Sequence, residues 1–203
     1  MPYREVVFRA GRHYHIFNRG NNRQRIFFER ENYLFFLRRM RKYLMGVQTS
    51  EVLKTSEVCT HPVTVIAYCL MPNHYHLLVQ LNDDELSRQI MRLSVSYTKA
   101  INKRYKRVSA LFQGQFKAVP VDTDEQLLHL SRYIHLNPVL AGIVKHPHDW
   151  EFSSYREYVG LREGTLPVPD VVLSQFASHR TYRAFVEGYS EQDRRVIEHI
   201  AID

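Results

Sequence analysis

The chain predicts an α+β fold, an antiparallel sheet covered by helices, and three observations carry that expectation. Strand-like and helix-like runs alternate as strand, helix, strand, strand, helix, strand, helix. The two middle strands, 63–70 and 74–81, are separated only by Met71-Pro72-Asn73, which suits a hairpin and is far too short for a parallel crossover. The next run has an apolar stripe at helical period, as a helix docked by one face requires. With 203 residues, 44% hydrophobic and 24% charged, the chain fits one ordinary globular domain with a sizeable core.

Taken in order, residues 12–18 read as a first strand, and Gly20-Asn21-Asn22 as the turn after it. Over 27–44, Tyr33, Phe36, Leu37, Met40 and Leu44 recur at helical spacing. The polar stretch 46–60 reads as a loop, because the next strand begins almost at once. The hairpin over 63–81 comes next, and Asn82-Asp83-Asp84 is a capping cluster for the helix behind it. Residues 112–121 read as a further strand, with Gly114 relaxing the backbone near its start. Asp122-Thr123-Asp124-Glu125 caps a helix expected over 125–137 and stopped by Pro138. Beyond Trp150 the pattern is less regular, with Pro147 just before it, Pro167 and Pro169 along it, and a last helix expected over 182–200. There is no internal repeat and no low-complexity segment.

The formal net charge is +7, and its distribution says more than its total. Residues 86–121 contain no Asp or Glu, yet hold Arg88, Arg92, Lys99, Lys103, Arg104, Lys106, Arg107 and Lys117. At about 100° per residue, Arg88, Arg92, Lys99 and Lys103 share one helical stripe, opposite Leu86, Ile90, Leu93, Tyr97 and Ile101. A merely solvated face usually mixes signs, so this ridge points to a polyanion such as nucleic acid. No apolar run approaches the roughly 18 residues that span a bilayer, and the first residues lack a signal-peptide core. A cytoplasmic protein, without membrane partners, is expected. Two cysteines, Cys59 and Cys69, make neither a disulfide framework nor a four-thiolate zinc site; both read as buried thiols.

The most chemical stretch is Met71-Pro72-Asn73-His74-Tyr75-His76. Side chains alternate along a strand, so His74 and His76 share one face while Tyr75, Leu77 and Val79 take the other. A second H-x-H pair, His13 and His15, lies in the first strand and either lines the same cleft or faces solvent. The pair at 74 and 76 is preferred as a ligand set because it comes after a Pro-Asn turn and enters the longer strand. Sixty residues on, Tyr133 and Asn137 stand one helical turn apart on the same face. If that face packs over the strand, two imidazoles and an amide oxygen converge on a cation, which suits Mg²⁺ or Mn²⁺, with zinc also tolerated. Tyr133 would then be a nucleophile toward phosphorus, activated by the ion and by Arg132. Tyr97 and Tyr105 are rival nucleophiles; Tyr133 and Asn137 also have plain readings as a core aromatic and a helix terminator.

Taken jointly, Met71-Pro72-Asn73-His74-Tyr75-His76, Ser96-Tyr97-Thr98 with Asn102 and Tyr105, 111–117, and Tyr133-Ile134-His135-Leu136-Asn137-Pro138-Val139 with Gly142 resemble the HUH tyrosine transposases. Within them the chain is most similar to the REP-associated tyrosine transposases, relatives of the smallest single-strand insertion-sequence transposases. The resemblance covers roughly residues 12–158, which divides the chain into a catalytic domain over 1–160 and a C-terminal helical extension over 161–203. It implies a ferredoxin-like core, a divalent metal held by His74, His76 and Asn137, and a 5′-phosphotyrosine link from Tyr133 to single-stranded DNA beside a hairpin. Insertion-sequence members often carry Gln at the amide position, so Asn137 favours the REP-associated branch. A monomer or homodimer associated with the nucleoid is implied. A replication initiator or relaxase shares the two-histidine site but usually sits in a larger chain; a hairpin-binding protein without activity is the non-enzymatic alternative.

Overall fold

The computed structural model describes residues 6–46 and 62–199. Four antiparallel strands form one sheet in the order β2-β3-β1-β4: β1 His13–Arg19, β2 Val63–Met71, β3 His74–Leu81 and β4 Lys117–Val121. Helices α1, Arg30–Leu44, and α2, Leu86–Arg104, connect them in the sequence β1-α1-β2-β3-α2-β4. That connectivity with that strand order is the ferredoxin-like arrangement the motifs implied. Residues 47–61, and with them Cys59 and most of the expected polar loop, lie outside the described residues.

Period-two alternation sorts each strand's side chains to two different neighbourhoods. Tyr14 and Ile16 of β1, Val65, Tyr68 and Leu70 of β2, and Tyr75, Leu77 and Val79 of β3 bury against α1 and α2. Phe36 of α1 is fully buried there, meeting the rings of Phe27, Tyr75 and Tyr97; its truncation to Ala would cost about 3–5 kcal/mol. Cys69 and Met71 of β2 and Leu78 of β3 bury instead against α3, Asp124–Leu140, and the helices beyond it. A bulge between Val65 and Ala67 lets Ile66 and Ala67 both join that second layer before the alternation resumes.

The second layer continues through α4 Tyr155–Tyr158, α5 Asp170–Leu173, α6 His179–Glu187 and α7 Glu191–Ile197. Tyr155, Tyr158, Tyr182 and Val186 bury into the same cluster as Tyr133 and Ile134. Buried His135 ties the helices of this layer together, its Nδ1 2.7 Å from Tyr182 Oη and its Nε2 2.8 Å from Ser154 Oγ. No helix among the described residues is long and apolar enough to cross a membrane.

Three expected boundaries move. The strand expected over 112–121 is interrupted: Phe112 makes an isolated bridge to Gly20, and continuous pairing begins at Lys117, because Gln113-Gly114-Gln115 between them forms an exposed loop held by Asn18 Nδ2 donating to the Gly114 carbonyl. Helix α3 runs past Pro138 to Leu140. A proline in the last turn removes a single N–H, and the carbonyls of Asn137 and Pro138 still accept from Ala141 and Ile143 at 2.9 Å each. The last helix is two helices, broken after Gly188, where Ser190 N and Oγ both donate to Asp193 Oδ2 and start α7 afresh.

Candidate active site

The site begins with the hairpin turn. The Pro72 carbonyl accepts from Ile26 N and Phe27 N, and the Asn73 carbonyl from Gly20 N, so the start of β3 is fastened to the segment after β1. β3 then presents His74 and His76 on the α3 side, as the alternation requires. Their rings are edge to face, with centroids 4.9 Å apart.

Helix α3 starts under a Thr123 cap, whose Oγ1 accepts from Gln126 N at 3.1 Å. One turn separates Tyr133 from Asn137. Tyr133 lies edge-on to His76 at 5.5 Å between centroids, and Asn137 Oδ1 is 3.2 Å from His74 Nε2. All four side chains line one cleft of about 1090 Å³, together with Phe17, Asn18, Arg19 and Arg23 from β1 and its turn, the loop 113–115, Lys117, and Tyr189, Arg195 and Glu198 from the C-terminal segment.

His76 is 2% exposed. Burial foremost, with His74 and His15 beside it, holds its pKa well below the ordinary imidazole value, so it is neutral at pH 7. Its Nδ1 is 2.9 Å from Nε2 of buried His15, the diagonal neighbour on β1, which leaves Nε2 for a ligand. His15 thus belongs to the cleft's support. His13 is half-buried, its pKa lowered by burial and partly restored by Asp124, and it does not line the cleft.

The donor set fits a hard divalent cation. His74 Nδ1 donates to Asn73 Oδ1 at 2.6 Å. Nε2 lies 3.2 Å from Asn137 Oδ1, and with the ring's only proton on Nδ1 each of these two atoms would have a lone pair to offer an ion. Adjacent ligands of an octahedral ion with bonds of about 2.1 Å stand roughly 3.0 Å apart. Among the described residues no cluster of three or more His, Cys, Asp or Glu could hold a metal, so the set depends on the amide of Asn137.

Arg132 does not line the cleft that Tyr133 enters. Its guanidinium pairs with Asp193 at 2.6 Å and lies 3.6 Å from the Phe185 ring centroid, so it anchors α3 to α6 and α7. The rival tyrosines are also accounted for. Tyr97 is fully buried on the α1 and α2 side, donating to the Ile26 carbonyl at 2.7 Å, and burial drives its pKa far above the ordinary value. Tyr105 donates to Glu29 at 2.7 Å.

Of the eight basic residues, only Lys117 lines the cleft. Leu86, Ile90, Leu93, Tyr97 and Ile101 are buried, as the apolar stripe requires, and Arg88, Arg92, Lys99, Lys103 and Arg104 lie on the outer side of the helix. The ridge therefore stands on the far side of the sheet from Tyr133. Arg88 pairs with Glu85 and Arg104 with Glu29. Lys106 adopts φ 50°, and Arg107 lies 5.8 Å from the Phe28 ring centroid.

A profile of the family described as IS200-like transposase matches residues 10–137, a span that begins before β1 and ends on Asn137. The chain belongs to that family. A Haemophilus influenzae protein assigned by name to the REP-associated tyrosine transposases is 32% identical over 115 residues, 51% of this chain and 65% of its own. The REP-associated tyrosine transposase of Escherichia coli is 27% identical over 109 residues, 53% of this chain and 62% of its own. The matches thus span under two thirds of either relative. The structure of a REP-associated tyrosine transposase bound to a REP hairpin superposes with a TM-score of 0.61, at 19% identity over 82% of this chain and 96% of that one, which supports the fold. The REP-associated resemblance and the α+β class both hold.

Among residues the motifs did not assign, His15 and Asn73 contact the two imidazoles, and Arg19, Arg23, Gln113 and Gln115 edge the cleft. The signal for His15 was its alternation with His13 on a neighbouring strand. Tyr189, Arg195 and Glu198 had none, since only the packing of α7 on α3 brings them there.

Proposed function

We propose that this IS200-like transposase cleaves and rejoins single-stranded DNA beside a hairpin, with Tyr133 as the nucleophile. The observation that carries this reading is the approach of α3 to β3: Tyr133 lies edge-on to His76 and Asn137 Oδ1 lies 3.2 Å from His74 Nε2, in one cleft. Tyr133 is 2% exposed and carried on a helix braced by Arg132 and His135, so its ring is held rather than free to sweep. Tyr133 Oη bonds to phosphorus as the bond to the 3′ oxygen breaks. The phenol releases its proton, the leaving oxygen takes one up, and the products are a 5′-phosphotyrosine and a 3′-OH. Attack by a 3′-OH on the phosphotyrosine reverses the sequence and rejoins DNA.

His74, His76 and Asn137 would hold Mg²⁺ or Mn²⁺. When bound, such an ion supplies charge that polarises the phosphate and stabilises the departing oxygen. Arg19, Arg23 and Lys117 at the cleft's edge supply cations for the backbone of an entering strand. The ridge of Arg88, Arg92, Lys99, Lys103 and Arg104, joined by Lys106 and Arg107, offers a second cationic surface for the paired stem. Hairpin DNA as partner draws support from the structural neighbour, which was solved with a REP hairpin.

End-labelled oligonucleotides carrying a hairpin test this in the presence of Mn²⁺. A 3′ label should remain on the protein through a denaturing gel, and a 5′ label should leave on a shorter strand that a polymerase extends. The opposite labelling, or equal cleavage of fully paired duplex, would exclude the mechanism even if DNA binds tightly.

A further inference from the structure

Asn73 closes the turn between β2 and β3 and directly precedes the first candidate ligand. Its amide spans two groups. Nδ2 donates to the Arg23 carbonyl at 3.2 Å, and Oδ1 accepts from His74 Nδ1 at 2.6 Å. A carbonyl can only accept, so Arg23 fixes which end of the amide faces it. The oxygen is thereby turned to His74, where it can only accept; Asn137 Oδ1 makes the same demand on Nε2 from 3.2 Å, and the 2.6 Å contact, the shorter of the two, takes a neutral ring's single proton to Nδ1.

The Arg23 carbonyl is aimed by an unusual backbone. Asn22 and Arg23 adopt φ of 51° and 57°, a region that residues with a Cβ enter at a cost and keep only where their surroundings over-determine it. Here the surroundings are the backbone bonds from Gly20 to Asn73 and from Ile26 and Phe27 to Pro72. The neighbouring imidazole is treated alike: His76 Nδ1 meets His15 Nε2 at 2.9 Å. Both rings therefore turn Nδ1 to the protein.

We propose that Asn73 is a positioning residue that sets the tautomer of His74, keeping the proton on Nδ1 so that Nε2 turns its lone pair, beside Asn137 Oδ1, toward a divalent cation. The role of the cation rests on the function proposed above; the tautomer does not. Removal of partners that orient metal-binding histidines typically weakens metal affinity about 10–100-fold. An ordinary turn asparagine would instead serve only the backbone around it.

The test uses the full chain, free of metal and labelled with ¹⁵N, at about pH 8, above the usual imidazole titration. Long-range proton–nitrogen correlations should give His74 as the Nδ1–H tautomer in the native protein. Asn73→Ala should move it to a mixture or to Nε2–H and raise the Mn²⁺ dissociation constant about 10–100-fold. Asn73→Asp keeps an acceptor at Nδ1 and should retain both the tautomer and affinity within a few-fold, a rescue that a purely structural role would not produce. Should Asn73→Ala fold poorly, Asn73→Ser keeps a turn-forming side chain too short for the same contact and should behave as Ala does. Nε2–H in the native protein, or Nδ1–H persisting in Asn73→Ala or Asn73→Ser, would overturn the assignment. If the native protein binds no Mn²⁺ while the tautomer still depends on residue 73, the cation reading falls and the assignment of Asn73 to His74 stands.

Discussion

The two faces of one four-stranded sheet differ more in chemistry than in burial. Toward α1 and α2, β3 turns Tyr75, Leu77 and Val79 into a core crowded with Phe27, Phe36 and Tyr97, where the buried polar atoms serve packing: Tyr97 Oη closes on a backbone carbonyl. Toward α3, the same strand turns His74 and His76 to a cleft whose wall includes buried Asn137 and whose support includes buried His15. Burying such groups is costly unless they are paired, and here the pairs run between ligand candidates and their supports. One face serves stability and the other holds polar groups where they can act.

The largest effect expected on this contrast comes from Tyr133→Phe. Only the oxygen proposed to attack is deleted, so covalent capture of an oligonucleotide should fall to background while hairpin affinity stays nearly native. A denaturing-gel assay beside a binding titration measures both. An adduct surviving in Tyr133→Phe would take the nucleophile away from this face altogether.

Next in size are His74→Ala, His76→Ala and Asn137→Ala. Each should lower Mn²⁺-dependent cleavage by at least about 10–100-fold, the loss that removal of a mere outer partner brings, with much smaller changes in DNA affinity. His13→Ala, outside the cleft, should be milder. Calorimetric titration with Mn²⁺ locates the ion: binding abolished in His13→Ala and kept in His74→Ala and His76→Ala would mean that the wrong pair was chosen.

Much of this division was legible in the residues. Alternation alone sent His74 and His76 to one side of β3 and Tyr75 to the other, and the helical period predicted the buried stripe of α2 residue for residue. What alternation cannot say is which side of the sheet a helix covers. That is why a basic ridge and a tyrosine helix, both evident in the sequence, gave no sign that the sheet stands between them. Arg132 misled for a related reason: adjacency to Tyr133 in sequence puts it about 100° around the helix, toward Asp193 and Phe185. Pro138 misled because a proline so near a helix end is tolerated when later residues close the last turn, and the bonds from Ala141 and Ile143 that do so are invisible in composition.

A smaller effect is expected from the ridge. Arg92→Glu combined with Lys99→Glu leaves the cleft untouched, so capture at saturating DNA should persist while affinity weakens. For every phosphate no longer neutralised, the plot of log affinity against log salt should flatten by about 0.7–0.9, according to whether the strand is single or paired. A slope unchanged across ionic strength would make the far face a solvated surface and leave DNA to the cleft alone.

The smallest effect on chemistry should come from the same one-atom deletion made on the opposite face. Tyr97→Phe removes a hydroxyl that donates to the Ile26 carbonyl at 2.7 Å within the aromatic core. A buried acceptor deprived of its partner costs about 1–2 kcal/mol, so the urea midpoint should fall measurably. Ile26 also donates its N–H to the Pro72 carbonyl in the turn before β3, so a loosened core could reach the histidines through the backbone. The unbroken register of β1 on β3, from His13 opposite Gln80 to Arg19 opposite His74, argues that it does not. Capture by Tyr97→Phe should therefore equal the native level once the fraction folded is taken into account. A loss of capture beyond that fraction would mean that the two faces are coupled through the 20–27 segment.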